Sequence, residues 1–234
     1  MPATALVTGA TEGIGRAIAF SLGRAGHQVG VCARTPAKVE ALLADLAAAG
    51  IAAAGLACDV GDPAQVERLV AHVMDRLGPV DVLVNNAGAG VIKPFGEITL
   101  EEWDRVIATN LRGLYLVTRA VLPAMRARKT GDVINVSSLA GKRGFIGGTA
   151  YAASKHAVMG FSESLMLELR KEGIRVTALC PGSVDTKMIH AQTVFERDPD
   201  RILKPEDVAE TVLALVRLPR RANVSELEIR PANP

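Results

Sequence analysis

Aromatic side chains are scarce in this 234-residue chain, at 3% of the total, although 49% of its residues are hydrophobic. A core must then be built from Ala, Val, Leu and Ile, which suits helices layered on parallel strands better than a β-sandwich. Cysteine is nearly absent. Cys32, Cys58 and Cys180 are odd in number and lack metal-ligand spacing, and each falls in a strand-like run. They read as small buried apolar residues in a reducing compartment, with no metal site. No apolar run approaches the roughly 18 residues needed to cross a bilayer, and the strand-like run from Thr4 leaves no room for a secretory leader. Formal net charge is +2 with no basic block, which disfavours nucleic acid and anionic membrane as partners. The expected location is the cytoplasm. Repeats, low-complexity segments and linkers are also missing, so residues 1–234 are expected to form one domain.

What the chain does have is alternation. Strand-like runs at 4–8, 28–34, 53–59, 82–86, 132–137, 175–180 and 226–230 are separated by helical patterns at 13–25, 36–49, 63–77, 149–171 and 205–217, with a broken helical region at 100–129. Several strands are continuous apolar runs, as expected where helices cover both sheet faces. The pattern predicts an α/β fold with a doubly wound parallel sheet of about seven strands. Its ligand should lie beyond the carboxyl ends of the strands.

The first strand runs into Thr8-Gly9-Ala-Thr-Glu12-Gly13-Ile14-Gly15 and then a helix. Glycines at such a turn let backbone approach a pyrophosphate, and the helix N-terminus adds free N–H groups and a positive dipole end. Tight turns need glycine anyway, so the position in an alternating chain is what favours a dinucleotide. The second strand ends in Ala33-Arg34-Thr35, with no carboxylate to take a ribose 2′-hydroxyl. Arg34 suits a 2′-phosphate, which favours NADP(H) over NAD(H). Glu12 is a counter-signal, because a carboxylate in the glycine turn would repel that phosphate. Asp59 ends the third strand, where it can accept from an adenine amino group. Asn85-Asn86-Ala87-Gly88 ends the fourth, and Asn110, three residues before Gly113, suits a kink that frees backbone groups. Each of these also has an ordinary reading as a turn former.

Ser138 follows the fifth strand, a Gly-rich loop leads on from it, and Tyr151 and Lys155 lie four apart in the first turns of the next helix. Residues at i and i+4 share a face. A free phenol has a pKa of about 10, and an adjacent ammonium is expected to draw it down toward the range of a general acid/base. A hydroxyl from Ser138 would hold a substrate oxygen beside it. Such a pair also occurs on helices where the Tyr packs and the Lys is solvated, and the site has no electron carrier of its own.

Together, Thr8-Gly9-x-x-x-Gly13-Ile14-Gly15, Asp59, Asn85-Asn86-Ala87-Gly88, Asn110, Ser138, Tyr151-x-x-x-Lys155 and Pro181-Gly182 resemble, in order and spacing, the short-chain dehydrogenase/reductase family. The resemblance implies a Rossmann-type fold and an oxidoreductase of carbonyl or secondary alcohol groups. It implies Tyr151 as acid/base, Lys155 lowering its pKa and binding the nicotinamide ribose, Ser138 orienting the substrate oxygen, and Asn110 holding a water-linked proton relay. Implied cofactor contacts are Gly9, Thr11, Gly13, Ile14, Gly15, Arg34, Asp59 at the adenine, Val60, Asn86 at the adenosine ribose, Ala87, Gly88, Tyr151, Lys155, Pro181, Gly182, Val184 and Thr186. Partners so implied are a small-molecule carbonyl or alcohol and a second copy of the chain, in a homodimer or homotetramer.

The ending at 223–234 lacks the Gly-rich segment of many fatty-acid-synthesis reductases of that family, and is more similar to that of reductases acting on hydroxy acids or sugar-like alcohols. The segment 187–203, expected to cover the substrate, mixes Met188, Ile189, Val194 and Phe195 with His190, Gln192 and Arg197. Lys142 and Arg143, beside Ser138, are candidates to attract an anionic substrate, although loop cations are commonly solvated. A catalytically silent cofactor-binding regulator is the alternative from another class, and the intact Ser138, Tyr151 and Lys155 weigh against it. An epimerase or dehydratase would need a longer substrate region.

Overall fold

The computed structural model describes residues 3–190 and 201–232. Seven strands, β1 (Thr4–Thr8), β2 (Gln28–Ala33), β3 (Ala53–Ala57), β4 (Val80–Asn85), β5 (Gly131–Val136), β6 (Ile174–Pro181) and β7 (Glu226–Ile229), form one parallel sheet in the order β3-β2-β1-β4-β5-β6-β7. The helices between them are α1 (Gly13–Arg24), α2 (Pro36–Ala48), α3 (Pro63–Leu77), α4 (Leu100–Ile107), α5 (Gly113–Arg128), α6 (Thr149–Leu169), α7 (Lys187–His190) and α8 (Pro205–Arg217). The expected Rossmann-type sheet is present, with its order reversing between β1 and β4.

Successive strand residues face opposite sides, so a strand covered on both sides must be apolar throughout. In β1, Ala5 and Val7 join Ile18, Leu22, Val29 and Val212 on one face, and Leu6 joins Leu69, Val73, Leu83 and Val117 on the other. Glycine brings the layers closer still, since a Cβ at Gly30 would lie 2.7 Å from Val73 Cγ1. Proline at the first turn starts α2, α3 and α8, where its missing N–H costs nothing. Asp62 caps α3 by accepting from Ala64 N at 2.9 Å and Gln65 N at 3.1 Å.

Most boundaries shift by one or two residues from the sequence reading. Strand β3 stops at Ala57, so Cys58 lies just past it rather than within it, although Cys58 N still donates to Ala33 O at 2.9 Å. Strand β4 begins at Val80, two residues early, because Asp81 is matched there: it accepts from Thr4 N at 2.8 Å and pairs with Arg128. The break at 100–129 is a π-helical turn, Ala108–Arg112, between α4 and α5. All three cysteines are buried and unbridged, and no helix among the described residues is long and apolar enough to cross a membrane.

Candidate active site

Beyond the carboxyl ends of the strands lies a cavity of about 620 Å³. Every residue implied as a cofactor contact lines it, as do Ser138, Tyr151 and Lys155. Its floor at the β1–α1 turn admits backbone only. Gly9 has φ +63°, and a Cβ there would fall 2.8 Å from Ala87 Cα; one at Gly15 would fall 2.3 Å from Gly9 O. The turn is pinned across the sheet switch. Asn86 Nδ2 donates to Thr8 O at 3.0 Å and Gly9 O at 3.1 Å, while Thr8 Oγ1 accepts from the N–H groups of Asn86 and Ala87, each at 3.0 Å. The Asn86 amide nitrogen is thus used to hold the glycine turn, a role its sequence context did not show.

At the end of β2, Arg34 is exposed, lines the cavity, and meets no carboxylate among the described residues. The counter-signal at Glu12 is resolved by its partners. Its Oε1 accepts from Lys38 Nζ at 2.6 Å and Lys187 Nζ at 3.1 Å, and these bonds lower its pKa. Lys38, which the sequence reading missed, also lines this end of the cavity. Asp59 turns one carboxylate oxygen onto Gly61 N at 2.9 Å.

The reacting end is built by β5, α6 and the loop between them. Ser138 begins a short 3-10 turn, Leu139–Gly141, and its Oγ accepts from Ala140 N at 3.1 Å. Tyr151 is half-buried, and loss of solvation raises its pKa by more than hydrogen bonding to Ser138 lowers it. This corrects the expectation that Lys155 draws the phenol down. Lys155 Nζ donates instead to Val136 O at 2.8 Å and lies 5.7 Å from the Tyr151 ring centroid. Lys155 is 5% exposed and has no carboxylate partner among the described residues, and burial brings its pKa down to about 8. A buried cation left unpaired at a cavity wall is costly, and such groups concentrate at functional sites.

Asn110 stands behind this wall rather than in it. At 2% exposure within the π-helical turn, its Oδ1 accepts from Ala89 N at 2.7 Å, and its Nδ2 donates to Ala89 O and to Ser154 Oγ, both at 2.9 Å. Ser154 Oγ in turn donates to Tyr151 O at 2.7 Å. The Asn110 side chain therefore ties the β4 loop to the helix that carries Tyr151. Sequence reasoning missed Ser154, whose signal was its place between Tyr151 and Lys155 in one helical turn.

The two loop cations separate. Lys142 pairs with Glu226 and Glu228 of β7, so it is not available to a substrate, contrary to its candidacy. Arg143 lines the cavity. Of the segment expected to cover the substrate, Lys187–His190 form α7, and 191–200, with Gln192, Val194, Phe195 and Arg197, lie outside the described residues. His190 Nε2 and Lys204 Nζ converge on Asp185 at 2.6 and 3.1 Å. No metal-binding cluster occurs among the described residues.

The short chain dehydrogenase profile matches residues 3–196. A Streptomyces coelicolor protein carrying the name ketoacyl reductase is 43% identical over 232 residues, covering 91% of this chain and 89% of that one. A Synechocystis 3-oxoacyl-[acyl-carrier-protein] reductase is 36% identical, covering 94% and 92%. Among solved structures, a variant of actinorhodin polyketide ketoreductase with NADPH superposes with TM-score 0.92 at 40% identity, covering 98% of this chain and 96% of the other. A serine dehydrogenase with NADP⁺ gives 0.86 at 34%, covering 97% and 94%. With a profile match over most of its length, relatives at this identity, and a glycine turn, Tyr151 and Lys155 in one cavity, this chain belongs to the short-chain dehydrogenase family.

Proposed function

We propose that this chain reduces a carbonyl group with NADPH, or oxidises the corresponding secondary alcohol with NADP⁺, using Tyr151 as the proton-transferring residue. One observation carries the reading: Ser138, Tyr151 and a buried Lys155 bonded to Val136 O face the same cavity into which the glycine turn opens. The residues present fit a dinucleotide phosphate. Gly9 and Gly15 leave room for nothing beyond backbone at the pyrophosphate position, Arg34 and Lys38 offer cations at the adenosine end, and Lys155 supplies a charge that a ribose hydroxyl can satisfy. The NADP(H)-bearing neighbours support the same preference.

When bound, NADPH supplies a hydride to the carbonyl carbon. Ser138 holds the carbonyl oxygen by hydrogen bonding, and Tyr151 gives that oxygen its proton as negative charge develops there. A phenol held neutral by burial is a ready donor to an alkoxide, which is far more basic. Lys155 keeps positive charge beneath the phenolate that results. Asn110, bonded to Ala89 and Ser154, fixes the backbone between the two sides of the site and is the candidate relay residue. Asp59 is assigned to the adenine, and Val184 and Thr186 to the nicotinamide end.

The likeness to ketoacyl reductases and serine dehydrogenases supports a small carbonyl or hydroxy-acid substrate. We further assign 1–234 to one domain, a homodimer or homotetramer as the assembly, with α6 and its exposed Leu167 as the favoured contact, and a reducing, cytoplasmic setting, supported by three buried free thiols. The test is NADPH oxidation followed by absorbance over a panel of 3-oxo acids, diketones, aldehydes and polyols. Turnover of a carbonyl member is expected. Tyr151→Phe should bind NADPH as before and lose at least about a hundredfold in kcat. Substantial activity in that variant overturns the assignment of the acid, and NADPH binding without any turnover favours a silent regulator.

A further inference from the structure

Charge in the cavity is unevenly shared. Its only lining carboxylates among the described residues, Glu12 and Asp59, follow β1 and β3 on the dinucleotide side. Besides Arg34 and Lys38, which follow β2, the lining cations are Arg143, Lys155, Lys187 and Arg230. Three of these are occupied: Lys187 with Glu12, Arg230 with Glu228, and Lys155 with Val136 O. Arg143 meets no carboxylate among the described residues.

The neighbouring residue sharpens the contrast. Lys142 is turned toward β7 and held by two carboxylates, while the next side chain is left for the cavity. Its backbone is fixed, because Arg143 N donates to Leu139 O at 3.1 Å and so closes a turn directly after Ser138. Leu139, Phe145, Ile92 and Met188 add apolar surface to the lining of the same cavity. A cation beside apolar wall in a cleft attracts an anion more strongly than one in open water, and a guanidinium matches a carboxylate or phosphate with two parallel hydrogen bonds.

We infer that Arg143 selects carbonyl substrates that carry an anionic group, a carboxylate or a phosphate, a few bonds from the reacting carbon. The short turn from Ser138 to Arg143 sets that spacing, since the carbonyl oxygen and the anion must bridge one loop turn. The inference rests on the carbonyl-reductase reading above and adds its substrate class.

The test uses two matched pairs with saturating NADPH: 4-oxopentanoate against its methyl ester, and dihydroxyacetone phosphate against dihydroxyacetone. At low salt at least one anionic member should exceed its neutral partner about tenfold in kcat/KM, through KM. Whichever pair discriminates tells carboxylate from phosphate. In Arg143→Gln that ratio should collapse toward one, and Arg143→Lys should keep part of it. Because Arg143 is exposed, the ratio should also shrink as ionic strength rises. Calorimetric titration of 4-oxopentanoate and dihydroxyacetone phosphate into the chain with NADP⁺ should show the same loss in Arg143→Gln without turnover. Equal kcat/KM within both pairs, or a ratio unmoved by Arg143→Gln, overturns the inference alone. If NADPH binds and none of the four compounds is reduced, the carbonyl-reductase reading falls and takes this inference with it.

Discussion

Replacing Lys155 by Met should make the free protein more stable while abolishing its turnover. The side chain lies almost wholly out of water, with one carbonyl partner and no counter-charge among the described residues. Burial moves its pKa from 10.5 to about 8. At roughly 1.4 kcal/mol per tenfold change, the charged form costs the fold on the order of 3 kcal/mol at neutral pH. Methionine removes that cost but leaves Val136 O without its donor, a loss of about 1 kcal/mol. A net gain of about 2 kcal/mol follows, or roughly 4–8 °C in Tm for a chain of this size. The sign of the pH dependence is fixed. Below about pH 8 the group is charged both folded and unfolded, so the penalty is complete. Between about 8 and 10.5 the folded chain has released the proton that the unfolded chain keeps. Wild-type stability therefore gains on the variant as pH rises through that window. Urea denaturation of both proteins without cofactor, at pH 7 and at about pH 9.5, measures the gap directly. A variant no more stable than wild type at pH 7, or a gap that does not narrow with pH, refutes the reasoning.

The other outcomes are simpler to read. Arg34→Asp should weaken NADPH more than about tenfold in a fluorescence titration and shift preference toward NADH; an unchanged preference disposes of the 2′-phosphate role. Gly15→Ala drives a Cβ to 2.3 Å from Gly9 O and 2.4 Å from Asn86 Nδ2, so it should cost about 1–3 kcal/mol and abolish measurable NADPH binding, whereas near-native affinity would show that the turn can shift. The raised pKa of Tyr151 keeps its proton on through the neutral range, so reduction at saturating NADPH should stay level there and fail only as the phenol ionises at high pH. Alcohol oxidation needs the phenolate and should climb with pH. NADPH affinity should fall as pH passes about 8, where Lys155 of the free chain discharges; opposite slopes would contradict both assignments.

The sequence by itself determined the layout of this protein. Strand and helix periods are local properties, so seven strands and the helices between them were legible within two residues at most ends. The same holds for the glycine turn and for Tyr151 and Lys155, because three glycines at a strand end and a four-residue step on a helix carry their geometry with them. Resemblance extended this to Asn110, Asp59 and the nicotinamide end, where single polar residues say little alone.

Tertiary structure decided what depends on residues far apart in the chain. Only folding placed Glu226 and Glu228 against Lys142 and left Arg143 to the cavity, and only folding gave Glu12 the partners Lys38 and Lys187. It also reversed the expected pKa of Tyr151. Adjacency on a helix promised an ammonium that lowers it, but β5 offered that ammonium a carbonyl, and the surrounding layers took away part of the solvation that a phenolate needs. Burial and ion pairing are set by the summed packing of distant segments, and no spacing within one segment encodes them.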